Sequence, residues 1–410
     1  MERVVVTGLG VVSAIGFGRE VFWDNLLLGK SGLSQITSFE TQGLRNRIAA
    51  EIRGFSPHEY MRSESLKNCG KASQYATVAA SMALRDSGMP VDKDKNSALE
   101  ADVIIGTTMG ECQAIESADA EWVQHGEDSV SANLISQYPS NNIAMNVSRE
   151  LNITGDSIVI PTACAAGNYA IGYGYDLIKS GRSLRVLAGG ADAFSRIAYT
   201  GFSRMMAMAE IRCSPFDKNR RGMILGEGSG FLVLESLTSA ELRKAHIYAE
   251  VIGYGLSCDA THMTIPDRDG IVKAIAKAIR ESGISLGKVD YICAHGTGTP
   301  ANDEAECAAI KQIFGEKAKR IPISSIKSMI GHAMGAASAL EAIACCMAVD
   351  EDKIPPTINY IDRDDKCDID CVPNEYRQKM VKIALNNSFA FGGNNSCVVF
   401  GKIKNLSSAE

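Results

Sequence analysis

Arg3-Val4-Val5-Val6-Thr7-Gly8-Leu9-Gly10 opens the chain as an apolar strand closed by glycines, and Ala249-Glu250-Val251-Ile252-Gly253-Tyr254-Gly255 repeats the design. Working outward, further stretches pair in the same order. Ala101-Asp102-Val103-Ile104-Ile105-Gly106-Thr107-Thr108 has its counterpart in Val289-Asp290-Tyr291-Ile292-Cys293-Ala294-His295-Gly296-Thr297. Ser157-Ile158-Val159-Ile160, with the small-residue helix after it, matches Ile321-Pro322-Ile323-Ser324-Ser325 and the helix after Gly331. A hairpin expected over 222–234 echoes one over 387–400. Four element types recurring in order predict two similar halves, residues 1–250 and 251–410. Apolar β runs at 102–105, 157–160, 185–187 and 291–294 alternate with helical stretches at 71–86, 165–179, 269–281 and 333–349. Such alternation predicts an α/β protein with largely parallel sheets.

Composition narrows the function. Hydrophobic content of 45% excludes disorder. A net charge of −6 and a pI near 5.7 exclude a broad attraction to nucleic acid, leaving room for a local basic patch. The twelve cysteines are scattered, and the chain opens on Met1-Glu2-Arg3 and a strand rather than a leader. Both features predict a cytoplasmic protein with reduced thiols. The longest apolar stretch, 333–349, carries Glu341 and is too short to cross a membrane comfortably. Cys367 and Cys371 lack a second pair or a nearby histidine, so no metal is expected.

Three residues sit where chemistry is usually done. Cys164, in Pro161-Thr162-Ala163-Cys164-Ala165-Ala166-Gly167, joins a β-branched strand to a helix. The exposed N–H groups of a helix start favour a thiolate and a developing oxyanion. A small buried hydrophobe is the alternative. Gly167, Gly172 and Gly174 are poor helix formers, which points to close helix packing. His295 ends a strand and enters Gly296-Thr297-Gly298-Thr299-Pro300; it is either a ligand-facing or a surface-loop histidine. His332 precedes an alanine-rich helix that is apolar on nearly every face, so it is either a satisfied buried histidine or a catalytic donor. His58, His125, His246 and His262 lack such framing.

The motifs Thr162-Ala163-Cys164, Pro215-Phe216-Asp217 with Gly226-Glu227-Gly228, His295-Gly296-Thr297-Gly298-Thr299 and Lys327-Ser328-Met329-Ile330-Gly331-His332 carry a resemblance over essentially the whole chain. The sequence resembles the elongating β-ketoacyl-acyl-carrier-protein synthases, a branch of the thiolase-fold condensing enzymes, and is similar to type II polyketide ketosynthase subunits. The resemblance implies two βαβαβαββ halves packed as a five-layered α-β-α-β-α sandwich. It implies a cytoplasmic acyltransferase performing decarboxylative Claisen condensation with Cys164 as nucleophile. His295 and His332 would be donors to the malonyl thioester, and the N–H groups of Cys164 and Phe391 an oxyanion hole. Lys327 would pair with Glu306, with Asp303 close by. Thr297, Thr299 and Thr264 would meet the phosphopantetheine arm, with Phe391 and Phe389 at the acyl gate. Phe202 and Met109 would line the acyl pocket, Met109 at its far end beside a partner chain. No bound cofactor or metal is implied, since substrates ride on acyl carrier protein. A basic entrance formed by Arg62, Lys67, Lys71 and Arg204 would receive that carrier. Strand 157–160 would lie at the two-fold axis of a homodimer, or of a heterodimer with a chain-length-factor-like subunit. Neither nucleic acid nor membrane is an implied partner.

Departures bear on substrate rather than reaction. The usual Phe-Gly-Phe gate reads Phe389-Ala390-Phe391, Asn394-Asn395 replaces a common Thr-Asn, and Met263 stands for a frequent serine. The segment 205–214 is shorter than in housekeeping fatty-acid enzymes. A thiolase would need a second catalytic cysteine, for which Cys397, inside a strand, is poorly placed. His332 argues against a chain-initiating synthase, and Cys164 against a non-catalytic partner subunit.

Overall fold

Strands form where β-branched residues can be buried on both faces. The first, β1 (Val4–Ser13), is buried along its full length. Residues 2–91 and 97–403 are described by the computed structural model, so residues 1 and 92–96 of the first expected half and 404–410 of the second lie outside the description. The remaining principal strands are β2 (Asp102–Gly106), β3 (Ser157–Ile160), β4 (Arg185–Asp192), β5 (Gly228–Ser236), β6 (Ala249–Cys258), β7 (Tyr291–Cys293), β8 (Ile323–Ser324), β9 (Ile383–Phe389) and β10 (Asn394–Gly401).

The order across the sheet is β8-β7-β9-β10-β6-β1-β5-β4-β2-β3. Read outward from the centre, each half runs first, fifth, fourth, second, third strand, so the duplication seen in sequence is a duplication of topology. The halves join where Val4, Val5 and Val6 pair antiparallel with Val251, Glu250 and Ala249. Pairing is mixed rather than largely parallel. β2 is parallel to β3 and β4, and β7 to β8 and β9, but β4–β5, β9–β10, β1–β5 and β6–β10 are antiparallel. Alternation of strand and helix did not reveal that the last two strands of each half pair directly. The hairpin expected over 222–234 is absent too: β5 instead pairs with β4, from which it is separated by the helix Arg196–Arg204.

Helices α1 (Lys71–Asp86) and α2 (Asn142–Leu151) cover one outer face, and α4 (Arg268–Ser282) and α5 (Pro300–Phe314) the other. Between them, α3 (Ala166–Lys179) and α6 (Ala337–Glu351) touch each other and strands of both halves. A Cβ added at Gly167 would lie 2.7 Å from the Ala339 nitrogen, and one at Gly172 within 2.8 Å of the Tyr254 ring. Gly167 is therefore what allows the two central helices to approach, and Gly172 what lets α3 take the Tyr254 ring of β6. Helix α6 is buried from Ala337 to Val349, which explains its lack of a polar face. The expected helix at 333–349 begins later, after a 3₁₀ turn at Met334–Ala336.

Candidate active site

The nucleophile candidate lies on a strained elbow. After β3, Ala163 takes φ 50°, a 3₁₀ turn spans Ala163–Ala165, and α3 follows. Cys164 is 5% exposed, and its carbonyl accepts the Ser388 hydroxyl at 2.9 Å. Burial pushes its thiol up to about 11, and the buried Asp192 carboxylate adds to this. The Lys327 charge and the N–H groups of Phe391 and Cys164 pull the other way. The expected resting thiolate is thus not what the site favours. The helix-start donors are present, but desolvation of an almost fully covered sulfur outweighs them.

The second half supplies the histidines. The His332 backbone is pinned from both sides: its N–H donates to Ile224 O at 2.7 Å and its carbonyl accepts from Gly226 N–H at 3.0 Å. Its ring Nδ1 accepts the Met334 N–H at 3.1 Å. His295 follows β7 and the Glu306 carboxylate grips its loop, accepting from His295 N–H at 3.0 Å and Gly296 N–H at 2.9 Å. Lys327 Nζ donates to His295 O at 2.7 Å and lies 3.4 Å from its Nδ1. With both Nδ1 atoms facing donors, each neutral ring carries its proton on Nε2. The ring centroids stand 5.5 Å apart with planes at 82°. Both histidines are held well below their ordinary pKa, first by burial and then by the Lys327 charge, so the neutral form prevails.

Lys327 pairs with Glu341, not with Glu306. Both members of the pair are fully buried. Glu341 projects from α6 directly beneath the lysine, whereas Glu306 spends its oxygens on the His295 loop. Burial pushes both glutamates up to about 7. Sequence reasoning used Glu341 only to argue against a membrane span. A lone carboxylate in a helix apolar on every face demands a buried cation, and that demand could have found it. Asp303 supports the same loop, accepting from Gly298 N–H at 3.2 Å and Phe216 N–H at 2.9 Å.

Cys164, His295 and His332 line one cavity of about 340 Å³. Thr264, Thr297, Thr299, Phe202, Phe389 and Phe391 line it too, so these expected site residues are brought together. The Thr297 and Thr299 hydroxyls are 2.9 Å apart, and the Phe202 and Phe391 rings 5.8 Å. Met109 is not in the lining; it packs behind, in an apolar cluster with Phe202, Phe391 and Met334. Ala390 keeps a negative φ, so the methyl that replaces the usual gate glycine costs no backbone strain.

The four basic residues expected at the entrance do not converge. Arg62 is engaged by Glu150 at 3.0 Å and Lys71 by buried Glu227 at 3.3 Å, while Lys67 is exposed without lining the cavity. Only Arg204 borders the site, in a surface groove shared with Arg45, Arg212 and Arg221. Arg221 also lines the cavity itself. No helix among the described residues is long and apolar enough to cross a membrane.

Residues 1–240 match the description "Beta-ketoacyl synthase, N-terminal domain" and residues 248–361 "Beta-ketoacyl synthase, C-terminal domain". The 3-oxoacyl-[acyl-carrier-protein] synthase 2 of Synechocystis sp. is 38% identical, covering 98% of each chain. Among solved structures, the ishigamide ketosynthase/chain length factor superposes with a TM-score of 0.95 at 43% identity, covering 98% of this chain and all of that one. A type II PKS ketosynthase, bound to the hexaketide and in complex with its acyl-carrier protein, gives 0.90 at 33%, with the same coverage.

Proposed function

The chain belongs to the β-ketoacyl synthase family and is a condensing acyltransferase of fatty-acid or polyketide elongation; on that premise we propose that Cys164 carries the growing acyl chain while His295 and His332 drive decarboxylation of carrier-bound malonate. The observation that carries this reading is the pair of neutral imidazoles, both with Nδ1 occupied, lining the cavity of a buried thiol.

The chemistry divides into two steps. In the first, Cys164 sulfur attacks the acyl thioester. The N–H groups of Cys164 and Phe391 receive the oxyanion, and the departing phosphopantetheine sulfur takes the proton the cysteine loses. Activation falls to this transfer because the resting thiol is protonated. In the second, the malonyl thioester loses CO₂, and the Nε2–H donors of His295 and His332 hold the enolate oxygen. The enolate carbon attacks the acyl–Cys164 carbonyl, the new C–C bond forms, and the cysteine sulfur leaves as a thiolate that takes a proton from solvent water. Lys327 and Glu341 keep the rings neutral and oriented, and Glu306 fixes the His295 loop. Thr264, Thr297 and Thr299 guide the phosphopantetheine arm, Phe389 and Phe391 gate the acyl space, and Phe202 and Met109 bound it. Substrates would arrive on the phosphopantetheine arm of acyl carrier protein, and twelve free thiols fit a cytoplasmic setting.

For assembly, β3 is an end strand of the sheet with Ser157 exposed and Ile158, Val159 and Ile160 half-covered, an edge suited to a second sheet of the same kind. The 43% identity to the ishigamide ketosynthase/chain length factor supports a pseudo-symmetric partner of the chain-length-factor kind. The acidic acyl carrier protein would approach the Arg204–Arg212–Arg221 groove. The test follows acyl-enzyme formation and CO₂ release separately. His332→Ala should still acylate Cys164 while losing decarboxylation by about 10²–10³-fold. Decarboxylation at the wild-type rate would end the two-histidine reading.

A further inference from the structure

Asp192 closes β4 and is fully buried, with no arginine or lysine among its hydrogen-bond partners. One oxygen accepts the Thr107 hydroxyl at 2.8 Å and the Met109 N–H at 2.8 Å. The other accepts the Thr108 N–H at 2.8 Å and the Gly335 N–H at 2.6 Å. Every partner is a donor, and the group accepts from all four at once, which only the carboxylate form can do without a lost bond. A buried carboxylate this costly to desolvate is retained where its geometry is needed.

The two sides of that grip lead to different walls of the reaction cavity. Gly335 adjoins Met334, whose own N–H fixes the His332 ring through Nδ1. Met334 sits at φ 51°, a conformation that methionine holds only when its surroundings enforce it. A Cβ on Gly335 would fall 2.7 Å from the Asp192 carboxylate and 2.6 Å from the Thr107 carbonyl carbon, so the turn is pressed onto the acid. On the other side, the Thr107–Gly110 loop carries Met109 into the cluster with Phe202 and Phe391. Thr107 reinforces that loop by accepting the Gly110 N–H at 3.0 Å.

The geometry points to Asp192 as a positioning residue that sets the tautomer and aim of His332 by clamping the Met334–Gly335 turn to the Met109 loop. It touches no substrate. It acts through one backbone N–H on the turn that orients a donor, and through two N–H groups and a hydroxyl on the loop behind the acyl chain. This inference rests on His332 being a donor to the malonyl thioester.

Asp192→Asn tests it. The amide keeps the shape but presents a donor to N–H groups that already donate, so either Gly335 or the Met109 loop must be released. Decarboxylation should fall about 10–100-fold, an order typical of losing a group that orients a catalytic one, while acylation of Cys164 should hold or rise, because the Asp192 charge that adds to the raised thiol is gone. ¹⁵N resonances of the His332 imidazole should pass from a single Nε2–H tautomer to a mixture. Thr107→Val, which removes one side-chain donor and leaves the carboxylate, should lower the ratio of decarboxylation to acylation about threefold, and it decides the matter if the Asn variant does not fold. An unchanged ratio and an unchanged His332 tautomer in the folded variants would overturn the role. His332→Ala run alongside separates the two readings: if it decarboxylates normally, the donor assignment fails; if it does not and Asp192→Asn does, only the positioning role fails.

Discussion

The two halves of the molecule contain the same elbow, put to opposite uses. Ala163 at φ 50° precedes Cys164, a 3₁₀ turn and α3; Met334 at φ 51° precedes Gly335, a 3₁₀ turn and α6. In the first, the residue after the strained position carries a thiol into the cavity, served by the N–H groups of Phe391 and its own backbone. In the second, the equivalent residue has no side chain, and the Asp192 carboxylate takes its N–H. Duplication therefore supplied two frames for a nucleophile, and the chain fills one with sulfur and plugs the other with an acid. What the second frame gains is rigidity around His332, three residues upstream.

Breaking the first elbow has the largest effect. Cys164→Ala should abolish acyl-enzyme formation, seen as loss of the acyl mass on the peptide that contains residue 164, and with it all condensation. Acylation that persists at another residue would erase the distinction between the elbows.

A smaller loss follows from disturbing the approach to the second elbow. Lys327→Met leaves Glu341 buried without its cation, and equilibrium unfolding should register a loss of about 3–5 kcal/mol. Lys327→Met combined with Glu341→Gln should recover most of that, because the uncompensated charge is gone. In the double variant the pH at which decarboxylation fails should move upward, since the lysine charge that depresses both histidines has been removed. An equal loss of stability in single and double variants would show that packing, not charge, governs the pair.

The gentlest probe is proton activity. Alkylation of Cys164 by a haloacetamide should keep climbing to pH about 11 instead of levelling near the ordinary value of 9.0. The histidines should add no step to decarboxylation near 6.5, their usual value, because both rings stay neutral well below it, whereas a fall as the pH drops through about 6 would mark Asp192, which burial raises to that value. For stability the sign is fixed by the same depression. The unfolded chain binds protons that the fold refuses, so what the histidines contribute is complete above about 6.5 and is lost as the pH falls. Glu306 and Glu341, raised to about 7, act oppositely: the fold retains protons there, and their contribution declines as pH rises from 4.5 towards 7.

Much of this was legible in the sequence because it is written in local terms. The repeat shows in glycine-closed strands, and Cys164, His295 and His332 show at junctions where a strand meets a turn. Gly167 betrays close helix packing by its cost to the helix. What stayed hidden depends on tertiary approach. Whether Lys327 meets Glu306 or Glu341 turns on which carboxylate reaches its ammonium group, and both acids are equally plausible in one dimension. The protonated thiol follows from how completely the fold covers sulfur. The clamp at Asp192 joins three segments, near residues 107, 192 and 335, none of which looks chemical alone. The basic residues at 62, 67 and 71 read as a patch from proximity in the chain, yet two of them are spent on local carboxylates.

The pairing of Val4–Val6 with Ala249–Val251 runs hydrogen bonds straight through the seam of the duplication. A seam stitched in this way is a weld, not a hinge. Halves joined by a continuous sheet cannot swing apart to admit a long acyl chain, so the stiffness of the whole frame falls on small parts. In the function proposed here, admission would fall to Phe391 and the flanking Gly392 and Gly393, at φ 85° and 81°, turning like a latch in a door whose jambs do not move.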